Sequence, residues 1–399
     1  MAEAFTVRAR STFARGDTSM PHTPDRRAAL RALTALAAAS FTQRAAFAAP
    51  AAEEIVIGQS AHLSGPLAPT LLAVLKGQEL ALDEFNRKGG VGGRKVRLVT
   101  LDDAYDPKRC VENVNTLIEH ERVTALFGLA STANVAAVLP LLAEKKVPLV
   151  GVYTGAPSLR AKQHPYFFTA MASYRDEVVQ MVRNLATVGR TKIALAYHNS
   201  PFGQLMLPVV EEVCKEQGTT LVAKAPLDIA GQESAAVCQR LAAASPQAVI
   251  FMAFGPALIP FARAARSYLS VPVYAPSIAN SHQLIEALGD DARGLAFTQI
   301  VPFPMRATTP VTKDYWSAME RAKIAVDFDH FFGYLNMRVV LETLKRAGKS
   351  VTSLSLPGAI EAMGKVDLGG YQLNFSPTNH NGSSFVDLLI VGPGGRFIH

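Results

Sequence analysis

From Ile55 onward, short β-branched runs alternate with stretches whose apolar residues recur at helical spacing. The first run, Ile55-Val56-Ile57, stops at Gly58, and a polar loop carrying Ser64-Gly65-Pro66 follows. Next comes a helical stretch that sets Leu75, Leu80 and Leu82 against Asp83, Glu84, Arg87 and Lys88. It breaks at Gly89-Gly90-Val91-Gly92-Gly93, and a second strand runs from Lys95 to Leu101 into Asp102-Asp103. Strand, helix, glycine turn and strand make a βαβ unit, because two parallel strands need a helical crossover. The same alternation predicts helices over 107–119 and 132–144 with strands over 124–127, 148–152 and 166–170.

The pattern then restarts. Helices are expected over 176–187, 203–217, 234–244 and 257–268, and strands over 192–197, 220–223, 248–252 and 271–274. Two such series imply two doubly wound α/β lobes, each a parallel sheet covered by helices on both faces. The Pro-broken segment 296–305 reads as an extended return crossing. Helices over 310–325, 329–347 and 355–363 and a strand over 384–391 complete the expectation.

Composition fits this picture. The chain has 399 residues, 49% hydrophobic and 18% charged, enough for two domains with cores of their own. The net charge of +7 is unevenly placed: seven Arg and three acids fall within residues 1–48, leaving +3 for the remainder. That remainder carries no nucleic-acid footprint. Residues 1–48 read as an export signal, with Arg26-Arg27 before a mild apolar run and Ala46-Phe47-Ala48 as the peptidase pattern. General secretion and twin-arginine export are both open, as is a start at Met20 rather than Met1. Either route makes the mature protein periplasmic. No later stretch is an uninterrupted apolar run of roughly 18–20 residues, the length that spans a membrane. Three cysteines remain, Cys110, Cys214 and Cys238; an odd count leaves at least one free thiol, and buried free thiols are the expectation.

No catalytic constellation emerges, so the protein is read as a binder and not an enzyme. The Gly89–Gly93 cluster follows a helix and precedes a strand, the wrong order for a phosphate-binding turn. Asp102, Asp103 and Asp106 precede a helix and suit caps and loop hydrogen bonds better than a metal. The histidines are scattered, with His198 and His282 in loops, and no cofactor or metal is called for.

Five motifs in register carry a family resemblance: Leu63-Ser64-Gly65-Pro66-Leu67, Asn86-x-x-Gly89-Gly90-x-x-Gly93, Asp102-Asp103-Ala104-x-Asp106-Pro107-Lys108, Phe127-Gly128 and Phe202-Gly203. With them the chain resembles the leucine/isoleucine/valine-binding protein family over residues 54–399. These are extracytoplasmic solute receptors that feed ABC importers. The resemblance implies a type I periplasmic-binding fold: two α/β lobes joined by three crossing segments, with ligand in the cleft between them. Lobe 1 would comprise 49–171 and about 300–382, and lobe 2 would comprise 172–299 and about 383–399. The implied partners are a small carboxylate-bearing ligand, an amino acid or an aromatic or aliphatic carboxylate, and an ABC permease of the inner membrane. A ligand-sensing subunit on the same fold is the other reading.

The resemblance also implies site residues. Ser131 and Thr132, at a helix start, look like the donors for the ligand carboxylate. The loop Tyr153-Thr154-Gly155 resembles the segment that adds backbone groups and a hydroxyl, with Gly155 at the hydroxyl-bearing position. Phe202, Phe254, Phe331 and Tyr174 would form an aromatic wall. Ser277 stands where amino-acid binders of the family tend to place an acid for the ligand ammonium, and Thr70 where a wall aromatic is common. Glu177 or Asp176 would then have to supply charge from another angle. Tyr105 and Ser131 occupy positions where two cysteines pair in well-known relatives.

Overall fold

The computed structural model describes residues 53–65, 68–280 and 282–398. The export segment with its cleavage after Ala48 lies outside the described residues, as do Pro66, Leu67 and the side chains of Thr70 and His282. Two large sheets organise the chain. The first has five parallel strands in the order β2-β1-β3-β4-β5: β1 (Ile55–Ala61), β2 (Val96–Asp102), β3 (Ala125–Phe127), β4 (Leu149–Val150) and β5 (Phe167–Phe168). Three helices alternate with these strands: α1 (Ala68–Arg87), α2 (Pro107–Glu119) and α3 (Thr132–Lys145).

The second sheet starts after α4 (Tyr174–Thr187). Its parallel strands are β6 (Lys192–His198), β7 (Thr220–Leu227), β8 (Ala248–Met252), β9 (Val273–Ala275) and β10 (Leu295–Gln299). Helices α5 (Pro201–Glu216), α6 (Ser234–Ala243), α7 (Leu258–Tyr268) and α8 (His282–Leu288) fall between them. The chain next returns to the first sheet with α9 (Pro310–Ala322), α10 (Phe328–Ala347) and α11 (Leu356–Glu361), followed by a hairpin of β11 (Gly364–Asp367) and β12 (Gln372–Phe375). The antiparallel strands β13 (Asp387–Val391) and β14 (Phe397–Ile398) finish the second sheet, whose order is β14-β13-β10-β9-β8-β6-β7.

Strand side chains alternate between two cores in each sheet. In β8, Val249 and Phe251 face one apolar cluster, while Ala248, Ile250 and Met252 face the other. In β3, Ala125 and Phe127 point to one side and Leu126 to the other. That double burial is why these strands read as unbroken apolar runs rather than as alternating ones.

Two helices of the first sheet approach unusually closely. A Cβ on Gly77 would lie 1.8 Å from the His330 carbonyl oxygen, and one on Gly333 would lie 1.9 Å from that of Val74. Glycine on both sides therefore lets α1 and α10 pack backbone to backbone. The contact fixes the first turn of α10, which matters for the site.

The three passages between the sheets lie together. Thr169 N–H donates to the His380 carbonyl (2.9 Å), and Gly382 N–H donates to that of Thr169 (2.7 Å). The Tyr371 hydroxyl donates to the Ala170 carbonyl (2.7 Å). Several local readings need correction. The expected short run 220–223 extends to Leu227, the hairpin 364–375 and helix α8 were not foreseen, and the final strand starts at Asp387 rather than Ser384. All three cysteines are buried and free.

Candidate functional site

A cavity of about 40 Å³ lies where the passages cross, walled by both halves of the chain. The loop after β4 supplies Tyr153, Thr154 and Gly155, and the first passage supplies Met171 and Ala172, with Tyr174 just beyond. From the second sheet come Ser277, Ile278 and Asn280; the next passage adds Gln299, Ile300 and Val301. The first turn of α10 contributes Phe328, Asp329 and Phe332. Loops at the carboxyl ends of strands make most of this wall, as expected for open α/β sheets.

Of the residues singled out from sequence, Tyr153, Thr154, Gly155, Tyr174 and Ser277 meet at this cavity. Thr132 stands one bond behind it, its hydroxyl 2.8 Å from that of Thr154, while Ser131 caps α3 by accepting from Asn134 N–H. Phe202 stands one ring behind the cavity and Phe254 two. Phe202 packs edge-on to Tyr174 at 5.3 Å between centroids, and Phe254 packs on Phe202 at 5.2 Å. Gly155 has a steric role, because a Cβ there would meet the Tyr174 ring at 2.9 Å. At the position where the resemblance places a hydroxyl, Gly155 thus leaves room for the Tyr174 ring.

Phe331 requires a correction. Its ring is fully buried against Tyr315 (4.9 Å), within the apolar core of the first sheet. Helix α10 starts at Phe328 with Asp327 as its cap, the Asp327 carboxylate accepting from His330 N–H at 2.7 Å. At about 100° per residue, positions 328, 329 and 332 share the cavity-facing edge and 331 turns away from it. His198 also departs from expectation: it ends β6, is 1% exposed, and has its imidazole pKa lowered by burial to about 4.

The acids around Ser277 have separate fates. Asp176 is used in a capping box with Ser173. Glu177 is fully buried and accepts from Ser277 N–H (2.6 Å), Ser277 Oγ (3.1 Å) and Thr298 Oγ1 (2.5 Å). Burial raises its pKa, opposed by those three bonds. Since the Ser277 hydroxyl donates to Glu177, what it offers the cavity is a lone pair. Ser277 is thus an acceptor polarised by the carboxyl behind it.

Sequence reasoning missed Asp329, Asn280 and Gln299. The Asp329 carboxyl has no hydrogen-bond or ion-pair partner among the described residues. Asp329 lines the cavity, and desolvation, with Asp327 adding repulsion, lifts its pKa to about 8. A helix N-terminus favours the carboxylate by only about 0.3–1 kcal/mol, rising to ~2 in favourable sites, so burial prevails. Asn280 Nδ2 and Gln299 Nε2 are buried donors with no protein acceptor. No Lys, Arg or His is among the residues lining the cavity. The available signal in sequence was an acid, Asp329, embedded among Phe328, Phe331 and Phe332 at a helix start.

Arg160 lies just behind the wall. Its guanidinium donates to the carbonyls of Met171 (2.7 Å) and Thr154 (3.3 Å), tying the cavity loop to the first passage. Burial lowers its pKa to about 10, which leaves it cationic at neutral pH.

Comparison with known proteins agrees with this architecture. A Leu/Ile/Val-binding protein homolog of Brucella melitensis is 23% identical over 360 residues, covering 90% of this chain and 96% of the relative. An extracellular ligand-binding receptor from Verminephrobacter eiseniae superposes with a TM-score of 0.81 at 27% identity, over 87% of this chain and all of that one. A substrate-binding periplasmic protein from Ralstonia solanacearum gives 0.78 at 29% identity, over 86% of this chain and 99% of its own. The periplasmic binding protein family matches residues 54–394, and with its two doubly wound sheets and a cavity at their crossings this chain belongs to that family, with the fold of the type I members.

Proposed function

We propose that the chain is the exported solute receptor of an ABC importer, taking a small carboxylate-bearing metabolite into the cavity between its two lobes and presenting it to an inner-membrane permease. The lobes are the two sheets with their helices, divided as 49–171 with about 300–382 and 172–299 with about 383–399. The observation that carries the reading is a buried cavity at the crossings where donors from the second sheet's side, Asn280 Nδ2 and Gln299 Nε2, lack protein acceptors. Unpaired buried donors cost about 1–3 kcal/mol each, a penalty that a ligand's oxygens would relieve. On the opposite wall Thr154, backed by Thr132, offers a hydroxyl.

The mechanism is hinge closure without a covalent step. At about 40 Å³ the cavity is far smaller than the several hundred Å³ that a metabolite fills, so the walls part to admit a ligand. Ligand held by one wall then stabilises the closed state by adding contacts to the other. The test is a thermal-shift screen of the purified chain against branched and polar α-amino acids and against aromatic and aliphatic carboxylates, with small-angle scattering on any hit. At 100-fold saturation a ligand adds about 2.7 kcal/mol. Stabilisation accompanied by compaction supports the reading; no stabilisation by either panel refutes it for these ligand classes.

A further inference from the structure

We infer that Asp329 is the counter-charge for a cationic nitrogen on the ligand, so that the cleft selects ammonium-bearing solutes. The inference rests on the solute-receptor reading and deepens it by naming the ligand's charge. It reverses the expectation drawn from Ser277, that loss of an acid there marks a site for carboxylates lacking an amino group.

Asp329 lines the cavity from the first turn of α10, with no partner of its own. Glu177 does not fill this role, because its oxygens already receive the Ser277 N–H, the Ser277 hydroxyl and the Thr298 hydroxyl. Acceptors on the lining include the Asp329 carboxyl and the Ser277 hydroxyl oxygen, whose proton goes to Glu177. The free donors are Asn280 Nδ2 and Gln299 Nε2. Such a set matches a molecule that carries both an N–H cation and an oxygen acceptor. A ligand bearing only a carboxylate would find no cationic side chain on the lining to pair with.

The charges around Asp329 define the proton balance. Asp327 sits on the same turn, engaged with His330 Nδ1 at 2.5 Å. Tyr153 faces Asp329 from the loop after β4; Tyr174 and Glu177, on α4, lie near Tyr153. Arg160, a buried cation behind the wall, is spent on two carbonyls. Without ligand the acid is largely protonated at pH 7, its pKa standing at about 8. An incoming ammonium makes the carboxylate the favoured form, and the displaced proton passes to the buffer.

The experiment uses matched probes: L-leucine with 4-methylpentanoate, and L-phenylalanine with 3-phenylpropanoate. Each is titrated calorimetrically into the ligand-free full chain at pH 7, in two buffers of different ionisation enthalpy. The expected result is tighter binding of the amino acid in at least one pair, with close to one proton released per ligand. Asp329→Asn, confirmed as folded by its melting curve, should weaken that amino acid by on the order of 100-fold and abolish proton release. The same variant should bind the deaminated partner at least as well as the parent chain does. Binding of deaminated acids alone, or an amino acid whose affinity ignores Asp329→Asn, overturns the inference and leaves the receptor reading standing. Failure of all four probes overturns the inference and counts against the receptor reading for these ligands as well.

Discussion

An unpartnered acid held in a closed cleft should destabilise the protein that carries it, and Asp329→Asn in the absence of ligand measures by how much. Its pKa rises from 3.8 to about 8 on folding. A folded-state pKa above the unfolded one means that the native state holds the proton more tightly. The group therefore costs nothing well below pH 3.8, where both states are protonated. Its cost grows as pH rises and is complete above pH 8. At about 1.4 kcal/mol per pH unit the ceiling is ~6 kcal/mol. Water entering as the walls part reduces this, and about 2–3 kcal/mol is the expected gain for the Asn variant at pH 8.5. For a chain of this length that corresponds to roughly 3–4 °C in melting temperature. Scanning calorimetry of both proteins from pH 4 to pH 9 gives the comparison. The two melting curves should nearly coincide at pH 4 and diverge steadily up to pH 8. A difference that is constant with pH would refute the reasoning, since the Asp329 proton would then contribute nothing to folding.

Other consequences follow from the packing. Gly333→Ala drives a Cβ into the Val74 carbonyl across the α1–α10 contact, so it should cost more than about 3 kcal/mol or prevent folding, read by urea denaturation. Glu177→Gln places an amide N–H₂ among the donors of Ser277 and Thr298; a loss of about 1–3 kcal/mol in stability is expected from the same assay, with weaker ligand binding by titration calorimetry. The thiols of Cys110 and Cys238 are buried, with pKa values pushed up to about 12, and Cys214 is also raised. The native protein should thus resist Ellman's reagent over minutes and expose three reactive thiols in denaturant; a fast native reaction would contradict the burial.

Much of the architecture was legible along the chain, because a parallel strand covered on both faces must be apolar throughout and its crossover must be helical. The run Ala248–Met252 and the helix Pro107–Glu119 need no tertiary knowledge to be recognised. Local capping was equally plain: Asp106 before Pro107 accepts from two backbone N–H groups, as its position suggests. The family resemblance brought Tyr153, Thr154, Tyr174 and Ser277 to notice, all of which line the cavity.

What the sequence could not determine is which of several nearby groups faces the cleft. Phe331 and Asp329 differ by two positions on one helix, and a shift in where that helix starts exchanges core for cavity. The start is set by the Asp327 cap and by Gly77 and Gly333, which bring α1 and α10 into backbone contact. Ser277 invited the conclusion that the site had lost its acid, because a sequence shows which residue is missing at a position and not which one replaces it from elsewhere. Glu177 and Ser277 are 100 residues apart, yet they share two hydrogen bonds. Hydrophobic periodicity determined the elements, since burial acts along each strand and helix. Only tertiary packing decided the charge of the site, since an acid's ionisation depends on what surrounds it in space.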